Sequence, residues 1–294
     1  WQADGARLTP QTPVTLTKQA NGLIYRVRFT IDDAYILRAE QRVDNTSAAG
    51  VVVQPYALIN RTDRTASLDQ WVAHSGPMGV FGGNANYDVD YTDLVEEGPV
   101  APQGRVGWTG FTDIYWLSAL VPQAGAQASG GYRSLGNSLF RADLIYAPVT
   151  LAPGTAVSRD TRLFAGAKES TILERYEAAG VPQFTFAIDW GWFGWFVRPF
   201  LWLLQQLFAF AGNFGVAIIL LTVVVRAALF PIAQKGFASM AAMKAIQPRM
   251  KDIQERYKDD KPRIQQEMQK LFQSEGVNPL AGCLPLLLQM PILY

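Results

Sequence analysis

The sequence predicts an α+β membrane protein, in which an antiparallel β domain precedes an α-helical membrane region that carries a helical hairpin. Two observations predict this class. Residues 1 to about 165 contain many short β-type runs separated by turns rich in Gly, Pro and Asn. Residues 199–225 contain no Asp, Glu, Lys or Arg, and a charged helical pattern follows them.

The β domain is predicted from short alternating runs. Residues 23–31 alternate between apolar and mostly polar side chains, which is typical of a half-buried strand. Many short strands at irregular spacing predict a large antiparallel sandwich, and none of these runs is long enough to span a bilayer. A short amphipathic helix is expected at 168–179, ended by Gly180. The further predicted strand runs are 35–43, 51–59, 110–121, 139–149 and 156–164.

An amphipathic helix is predicted next, at 189–211, lying in the plane of the membrane interface. Half of the eight tryptophans fall close together here, at positions 190, 192, 195 and 202, and tryptophan favours the headgroup level. Gly212 and Asn213 interrupt the pattern, so that residues 212–232 are predicted to form a transmembrane helix.

A helical hairpin is predicted at 233–276, with its turn at 259–262. Apolar residues recur there at spacings of three and four, which is typical of a coiled-coil seam. The seam residues are Met240, Met243, Ile246, Met250 and Ile253 on the first helix, facing Ile264, Met268 and Leu271 on the second. Residues 277–294 are predicted to begin the next transmembrane helix.

The charge distribution predicts orientation and argues against one class of partner. The 26 basic residues almost balance the 25 acidic ones, so we do not expect direct binding of nucleic acid. Basic residues follow the predicted span, which by the positive-inside rule makes the hairpin cytoplasmic and the β domain external. Because Met78 is the first methionine and the last residues are still apolar, we expect the chain to be an internal part of a longer protein.

The candidate binding site lies within the predicted span. Thr222 and Arg226 are four residues apart, so both project from one helix face. The pair either lines a hydrated groove inside the bilayer, or Arg226 extends its side chain to the headgroups, and the sequence leaves both interpretations open. With one histidine, His74, and one cysteine, Cys283, we expect no metal site, no cofactor and no catalytic residues.

Several motifs taken together resemble the YidC family of bacterial membrane-protein insertases. The likeness is strong from about residue 190 onward and weaker before it. In the upstream part, the stretch at 107–116 is similar to the central strand region of that family's periplasmic domain. The downstream motifs are Val225-Arg226, Phe230-Pro231, Gln247-Pro248, Asn278-Pro279-Leu280-Ala281-Gly282-Cys283-Leu284-Pro285 and Gln289-Met290-Pro291.

The resemblance implies a fold and a place in the cell. Residues 1–188 would form a periplasmic β-supersandwich, similar to galactose mutarotase folds and lacking its first strands. The hairpin would be cytoplasmic, in a multi-pass protein of the bacterial inner membrane. Arg226 matches the arginine of the family's hydrophilic groove, and Thr222 matches a groove position implicated in substrate contact.

The resemblance also implies a function and its partners. The protein would be a non-enzymatic insertase and chaperone for inner-membrane proteins, acting alone or with the Sec translocon. Its partners would be nascent membrane proteins, the ribosome and signal-recognition-particle targeting factors, and the lipid bilayer. Two alternatives remain open: a membrane-anchored mutarotase-like protein that binds or modifies carbohydrate, and a scaffold that docks onto the Sec translocon.

Overall fold

The computed structural model of the chain describes residues 1–62, 74–190, 194–258 and 260–275. The chain divides into two compact units, Trp1–Gly191 and Trp192–Tyr294. The first unit is built mainly from β-strands and the second from helices, so the predicted α+β class is confirmed.

Within its described residues the first unit contains fourteen strands, two α-helices and one 3₁₀ turn. The helices are α1 (Tyr91–Glu96) and α2 (Ser170–Ala178), and the 3₁₀ turn is Phe184–Ala187. The strands are β1 (Gln2–Ala3), β2 (Val14–Ala20), β3 (Leu23–Ile31), β4 (Ile36–Asn45), β5 (Val51–Val53), β6 (Tyr56–Thr62), β7 (Gly76–Phe81), β8 (Asn84–Asn86), β9 (Val106–Thr112), β10 (Trp116–Pro122), β11 (Ala128–Ser134), β12 (Leu139–Tyr146), β13 (Val149–Leu151) and β14 (Ala156–Ala167).

The described strands pair into three antiparallel sheets. The largest sheet has nine strands in the order β1-β2-β3-β4-β14-β10-β9-β7-β8. A second sheet has the order β11-β12-β6, and β13 pairs with β5 alone. The predicted large antiparallel sandwich is therefore what the chain forms.

The centre of the large sheet is buried on both faces. Successive residues of a strand point to opposite sides, so the central strands contribute side chains to two separate cores. On one face Trp108 and Phe164 pack against Phe184 and the helix α2. On the other face Phe111 packs with α1 and the three-stranded sheet. The strand β10 serves both cores, with Leu117, Ala119 and Val121 in the first and Leu120 in the second.

Three predicted strand runs are each two strands in the structure. The runs 51–59 and 139–149 are interrupted at Pro55 and Pro148, which have no backbone N–H to give to a sheet. The run 110–121 folds back at residues 113–115, and its halves pair with each other as β9 and β10. The strands β7 and β11 and the helix α1 were not predicted.

The second unit contains three helices among its described residues: α3 (Gly194–Ala211), α4 (Phe214–Arg256) and α5 (Lys261–Ser274). Asn213 caps α4, since its side chain accepts a 3.2 Å hydrogen bond from the backbone N–H of Val216. Asp260 caps α5 in the same way through Arg263. The predicted interruption at Gly212 and Asn213 is thus confirmed.

The helix α4 extends across the predicted boundary between the span at 212–232 and the hairpin from 233. It runs for 43 residues, with Pro231 and Pro248 inside it. The change at residue 232 is one of side-chain polarity, and the backbone remains helical across it. The predicted second span, 277–294, lies outside the described residues.

Candidate functional site

The first part of α4 is the candidate membrane-spanning segment. Phe214–Gln234 comprises 21 residues with a mean hydropathy of 2.5, and by length and composition it is the one described helix that could cross a membrane. At ~1.5 Å per residue it is about 31 Å long, which matches the hydrocarbon core of a bilayer. Most of its apolar side chains are exposed, as lipid-facing side chains would be.

Thr222 and Arg226 are both exposed on this segment and lie one turn apart. The structure therefore places the two predicted site residues on one helix face. The Thr222 hydroxyl donates a 2.9 Å hydrogen bond to the carbonyl of Ile218, one turn earlier. Because its donor is already used within the helix, Thr222 is compatible with either lipid or water.

The position of Arg226 bears on how its charge is solvated. Arg226 lies twelve residues after Phe214 and eight before Gln234, so the nearer end of the segment is the C-terminal one. Long side chains in an α-helix point back toward its N-terminus. The Cα–Cβ bond of Arg226 is therefore tilted toward the middle of the segment, so its side chain would have to turn back to reach the nearer end.

The rest of α4 and α5 form the predicted hairpin. The seam residues Met243, Met250, Ile264 and Met268 are half-buried, and Ile246 is buried. The helix α5 contains no buried residue. An ion pair between Arg249 and Glu275, at 2.5 Å, links α4 to the residue that follows α5. The side chain of Met240, also predicted in the seam, lies outside the described part of the chain.

His74 has structural contacts. Its Nε2 lies 2.8 Å from the carbonyl oxygen of Pro77, and its ring packs edge-on against Tyr87. Among the described residues no group of His, Cys, Asp and Glu could hold a metal ion. Local contacts with Pro77 and Tyr87 thus hold the His74 ring in place.

One polar cluster in the first unit was not predicted from the sequence. The ammonium of Lys168 donates a 3.0 Å hydrogen bond to Thr112 Oγ1, and burial lowers the pKa of Lys168 to about 8. The carboxylates of Asp113 and Asp189 partly offset this effect, because they favour the charged ammonium. The members of this cluster lie far apart along the chain, so no local motif marks it.

Two protein families match the chain, and together they cover nearly all of it. Residues 1–203 match the family described as the YidC periplasmic domain, and residues 206–294 match the family described as 60Kd inner membrane protein. The chain belongs to the YidC family.

Relatives named "Membrane protein insertase YidC" match almost the whole chain. The protein from Zymomonas mobilis is 42% identical over 297 residues, which cover 99% of this chain and 51% of that protein. The proteins from Beijerinckia indica and Ruegeria sp. are 39% and 40% identical, and each match covers 100% of this chain and 50% of the relative. The chain thus spans about half the length of these YidC relatives.

Solved structures resemble the chain only loosely. A crystal structure titled as an active YidC insertase aligns with a TM-score of 0.32 and 17% identity over 95% of this chain and 53% of that chain. A galactose mutarotase related enzyme from Lactobacillus acidophilus aligns with a TM-score of 0.40 and 9% identity over 56% of this chain and 70% of that chain. These TM-scores are too low to carry an inference about YidC function, so the family assignment rests on the sequence matches.

Proposed function

We propose that this chain is the part of a membrane-protein insertase that contains its periplasmic domain and the start of its membrane region. Residues 1–188 would be periplasmic, 189–211 would lie in the membrane interface, 212–232 would cross the membrane, 233–276 would form a cytoplasmic hairpin and 277–294 would begin a further span. Membership of the YidC family and the names of the relatives support this proposal. The observation that carries it is the exposed Arg226 within a membrane-length apolar helix.

Arg226 fits a hydrated groove better than simple extension to the headgroups. A charge at membrane depth is costly, so it faces water, a partner or the interface. The nearer interface lies beyond the C-terminal end of the segment, and the Cα–Cβ bond of a helical residue is tilted the other way. Water that reaches Arg226 within the membrane would solvate it without reversing that direction. The opposite wall of such a groove would come from residues outside the described ones.

The insertion step would use this cation as an electrostatic attractant. In a partly hydrated groove the effective dielectric constant is lower than in water, so a guanidinium attracts an acidic or polar substrate segment more strongly there. The hydrophobic helix of the substrate then enters the lipid, at roughly 25 cal/mol per Å² of apolar surface removed from water. No covalent step is required, so the proposal assigns no catalytic residue and no cofactor.

The hairpin would receive the substrate first. Its seam contains several methionines, whose flexible side chains adapt to varied apolar partners. The outward-facing charged residues of α4 and α5 are available to the ribosome, to targeting factors of the signal recognition particle, or to the Sec translocon. In this proposal the nascent membrane protein passes from the hairpin to the groove and then into the bilayer.

The proposal is tested by substitution of Arg226 in the full-length protein. We expect Arg226→Ala to impair insertion of small substrates with acidic translocated tails, and Arg226→Lys to be milder because it keeps the cation. Arg7→Ala is the control, since Arg7 is an exposed arginine of the first unit, outside the proposed groove and the hairpin. Insertion is measured by protection of the translocated tail from protease in proteoliposomes. Equal insertion by wild type and Arg226→Ala would contradict the groove.

A further inference from the structure

The turn between β9 and β10 exposes two adjacent aromatic side chains. The backbone N–H of Asp113 donates a 2.8 Å hydrogen bond to the carbonyl of Trp116, which closes the turn. Tyr115 is 72% exposed and Trp116 is 59% exposed, although the strands on either side enter the cores. Such large apolar side chains at the tip of a rigid hairpin are candidates for contact with a partner.

The turn is held in place by polar contacts on several sides. The Asp113 carboxylate accepts hydrogen bonds from Arg61 at 2.6 Å and from the Ser75 hydroxyl at 3.1 Å. The backbone N–H of Lys168 donates a 2.9 Å hydrogen bond to the carbonyl of Tyr115. The aromatic side chains are therefore presented by a fixed backbone, which reduces the ordering entropy that a contact would cost.

This turn lies at the end of the first unit from which the chain leaves it. The ammonium of Lys168 bonds to Thr112, next to the turn, and it is close enough to Asp189 for that carboxylate to favour its charged form. Asp189 also accepts a hydrogen bond from the backbone N–H of His74, at 3.4 Å. The first unit ends at Gly191, two residues after Asp189, and the apolar helix α3 begins at Gly194.

We propose that Tyr115 and Trp116 contact the bilayer surface, with their rings at the level of the lipid headgroups. The proposal rests on the membrane placement given under the proposed function. If α3 lies in the interface, only four residues of chain separate Asp189 from it, which brings this end of the first unit to the lipid surface. Tyrosine and tryptophan suit that level, since their rings are apolar and carry one polar group.

The size of the patch favours lipid over a protein partner. Two aromatic side chains bury about 300–500 Å² at most. A standard protein interface buries about 800 Å² on each partner. The pair is therefore too small to be a stable protein-binding site by itself, whereas interfacial aromatic residues act singly or in pairs. The contact would fix the height of the periplasmic domain above the membrane.

The proposal can be tested with fluorescent labels in the full-length protein. Every native cysteine, including Cys283, is replaced by serine, and an environment-sensitive nitrobenzoxadiazole label is attached to Tyr115→Cys or Trp116→Cys. The matched control is Tyr56→Cys, because Tyr56 is an aromatic residue of β6 that is also 59% exposed. Tyr56 is five residues from Arg61 along that strand, which places it about 17 Å from Arg61, the residue that contacts the turn. The labelled proteins are reconstituted in phosphatidylethanolamine–phosphatidylglycerol vesicles, with or without lipids spin-labelled near the headgroup.

We expect spin-labelled lipid to quench the labels at 115 and 116 at least threefold more than the label at 56. Equal quenching at all three positions would overturn the proposal. A label at 115 that is shielded from aqueous iodide but not quenched by lipid would also overturn it, because the turn would then be covered by protein. The Arg226→Ala background separates this proposal from the proposed function: lipid contact should persist there while insertion falls. Loss of lipid contact with normal insertion would reject the bilayer contact alone.

Discussion

The guanidinium of Arg61 lies 2.6 Å from the carboxylate of Asp113, and the two side chains are only 16% and 13% exposed. The pair joins the end of β6, in the smaller sheet, to the turn after β9, in the large sheet. It thus joins the two larger sheets of the first unit. When one partner of an ion pair with so little exposure is removed, the other charge is left without compensation. The loss of stability is therefore larger than for an ion pair in solvent.

We predict that Asp113→Ala destabilises the first unit by about 3 kcal/mol, because it leaves the little-exposed guanidinium of Arg61 without its carboxylate. Asp33→Ala is the matched control: it breaks the ion pair with Arg175, in which both side chains are exposed, and should change stability little. Thermal unfolding of the detergent-solubilised protein, followed by near-ultraviolet circular dichroism, measures both. Equal shifts in melting temperature would contradict the structural role of the Arg61–Asp113 pair.

We predict that Lys168 titrates near pH 8, since burial lowers its pKa from 10.5. Asp189→Asn should lower this pKa further, because the Asp189 carboxylate favours the charged ammonium. Amine acetylation as a function of pH, quantified by mass spectrometry at Lys168, measures the midpoint. A midpoint that stays the same in Asp189→Asn would show that the two groups do not interact.

The lowered pKa of Lys168 also predicts how the free energy of unfolding depends on pH. Between pH 8 and 10.5 the unfolded chain holds more protons at Lys168 than the folded one, so the free energy of unfolding should rise with pH in this window. Lys168→Met removes that contribution and should flatten the pH dependence between pH 8 and 9.5, below the range in which tyrosines ionise. A slope that is identical in wild type and Lys168→Met would exclude this linkage.

We predict that the hairpin is the most mobile part of the chain that the structure describes. The helix α5 has no buried residue, and a marginal helix depends on tertiary contacts. Amides of 241–258 and 260–275 should therefore exchange with deuterium faster than those of β9 and β10. Protection of the hairpin equal to that of the β-strands would show a rigid, docked hairpin and exclude its use as a capture arm.

A pair of variants tests whether the hairpin depends on its seam. Ile246→Ala truncates the buried side chain of the seam and should accelerate exchange in α5 severalfold. Gln247→Ala, at the neighbouring exposed position, should leave the exchange rates unchanged. Similar exchange in α5 for the two variants would mean that the seam does not hold α5.

The sequence predicts the two-part fold well, because the spacing at which apolar residues recur is a strong local signal of strand or helix. The strand β3 and the helix α3 appear where their patterns place them. The turn at Asp113 was missed, because neither Gly nor Pro marks it and the apolar pattern continues from β9 into β10. The strand β7 was missed for the opposite reason: Gly76, Pro77 and Gly79 argue against a strand, yet all six of its residues are buried in the sheet.

The predicted site residues share a helix face, but the rest of a site is harder to predict from sequence. Spacing alone places Thr222 and Arg226 together, since a helix repeats every 3.6 residues. The contacts around Lys168 join parts of the chain that are up to 56 residues apart, and no local pattern encodes them. The change from apolar to charged side chains predicts the boundary between the span and the hairpin, whereas the helix α4 itself continues through Pro231.

Deletion of residues 1–180 from the full-length protein distinguishes the insertase from its alternatives. Because the proposed groove lies in the membrane region, insertion should survive the deletion. A carbohydrate-active protein built on the β domain would lose its activity, and a scaffold that docks through that domain would lose its association with the translocon. Loss of insertion at normal protein levels in the membrane would contradict the proposal that the membrane region alone carries the insertion site.

The central claim is that one face of α4, marked by Thr222 and Arg226, meets the substrate. The most direct measurement is photo-crosslinking from a benzoylphenylalanine placed at position 222 or, as a control, at position 224, during synthesis of a ribosome-bound inner-membrane protein. Val224 is exposed on the same helix, but it lies about 200° around the axis from Thr222. We predict strong crosslinks to the nascent chain from position 222 and weak ones from position 224. Equal crosslinking from both positions, or crosslinking from 224 alone, would contradict a groove on the Arg226 face.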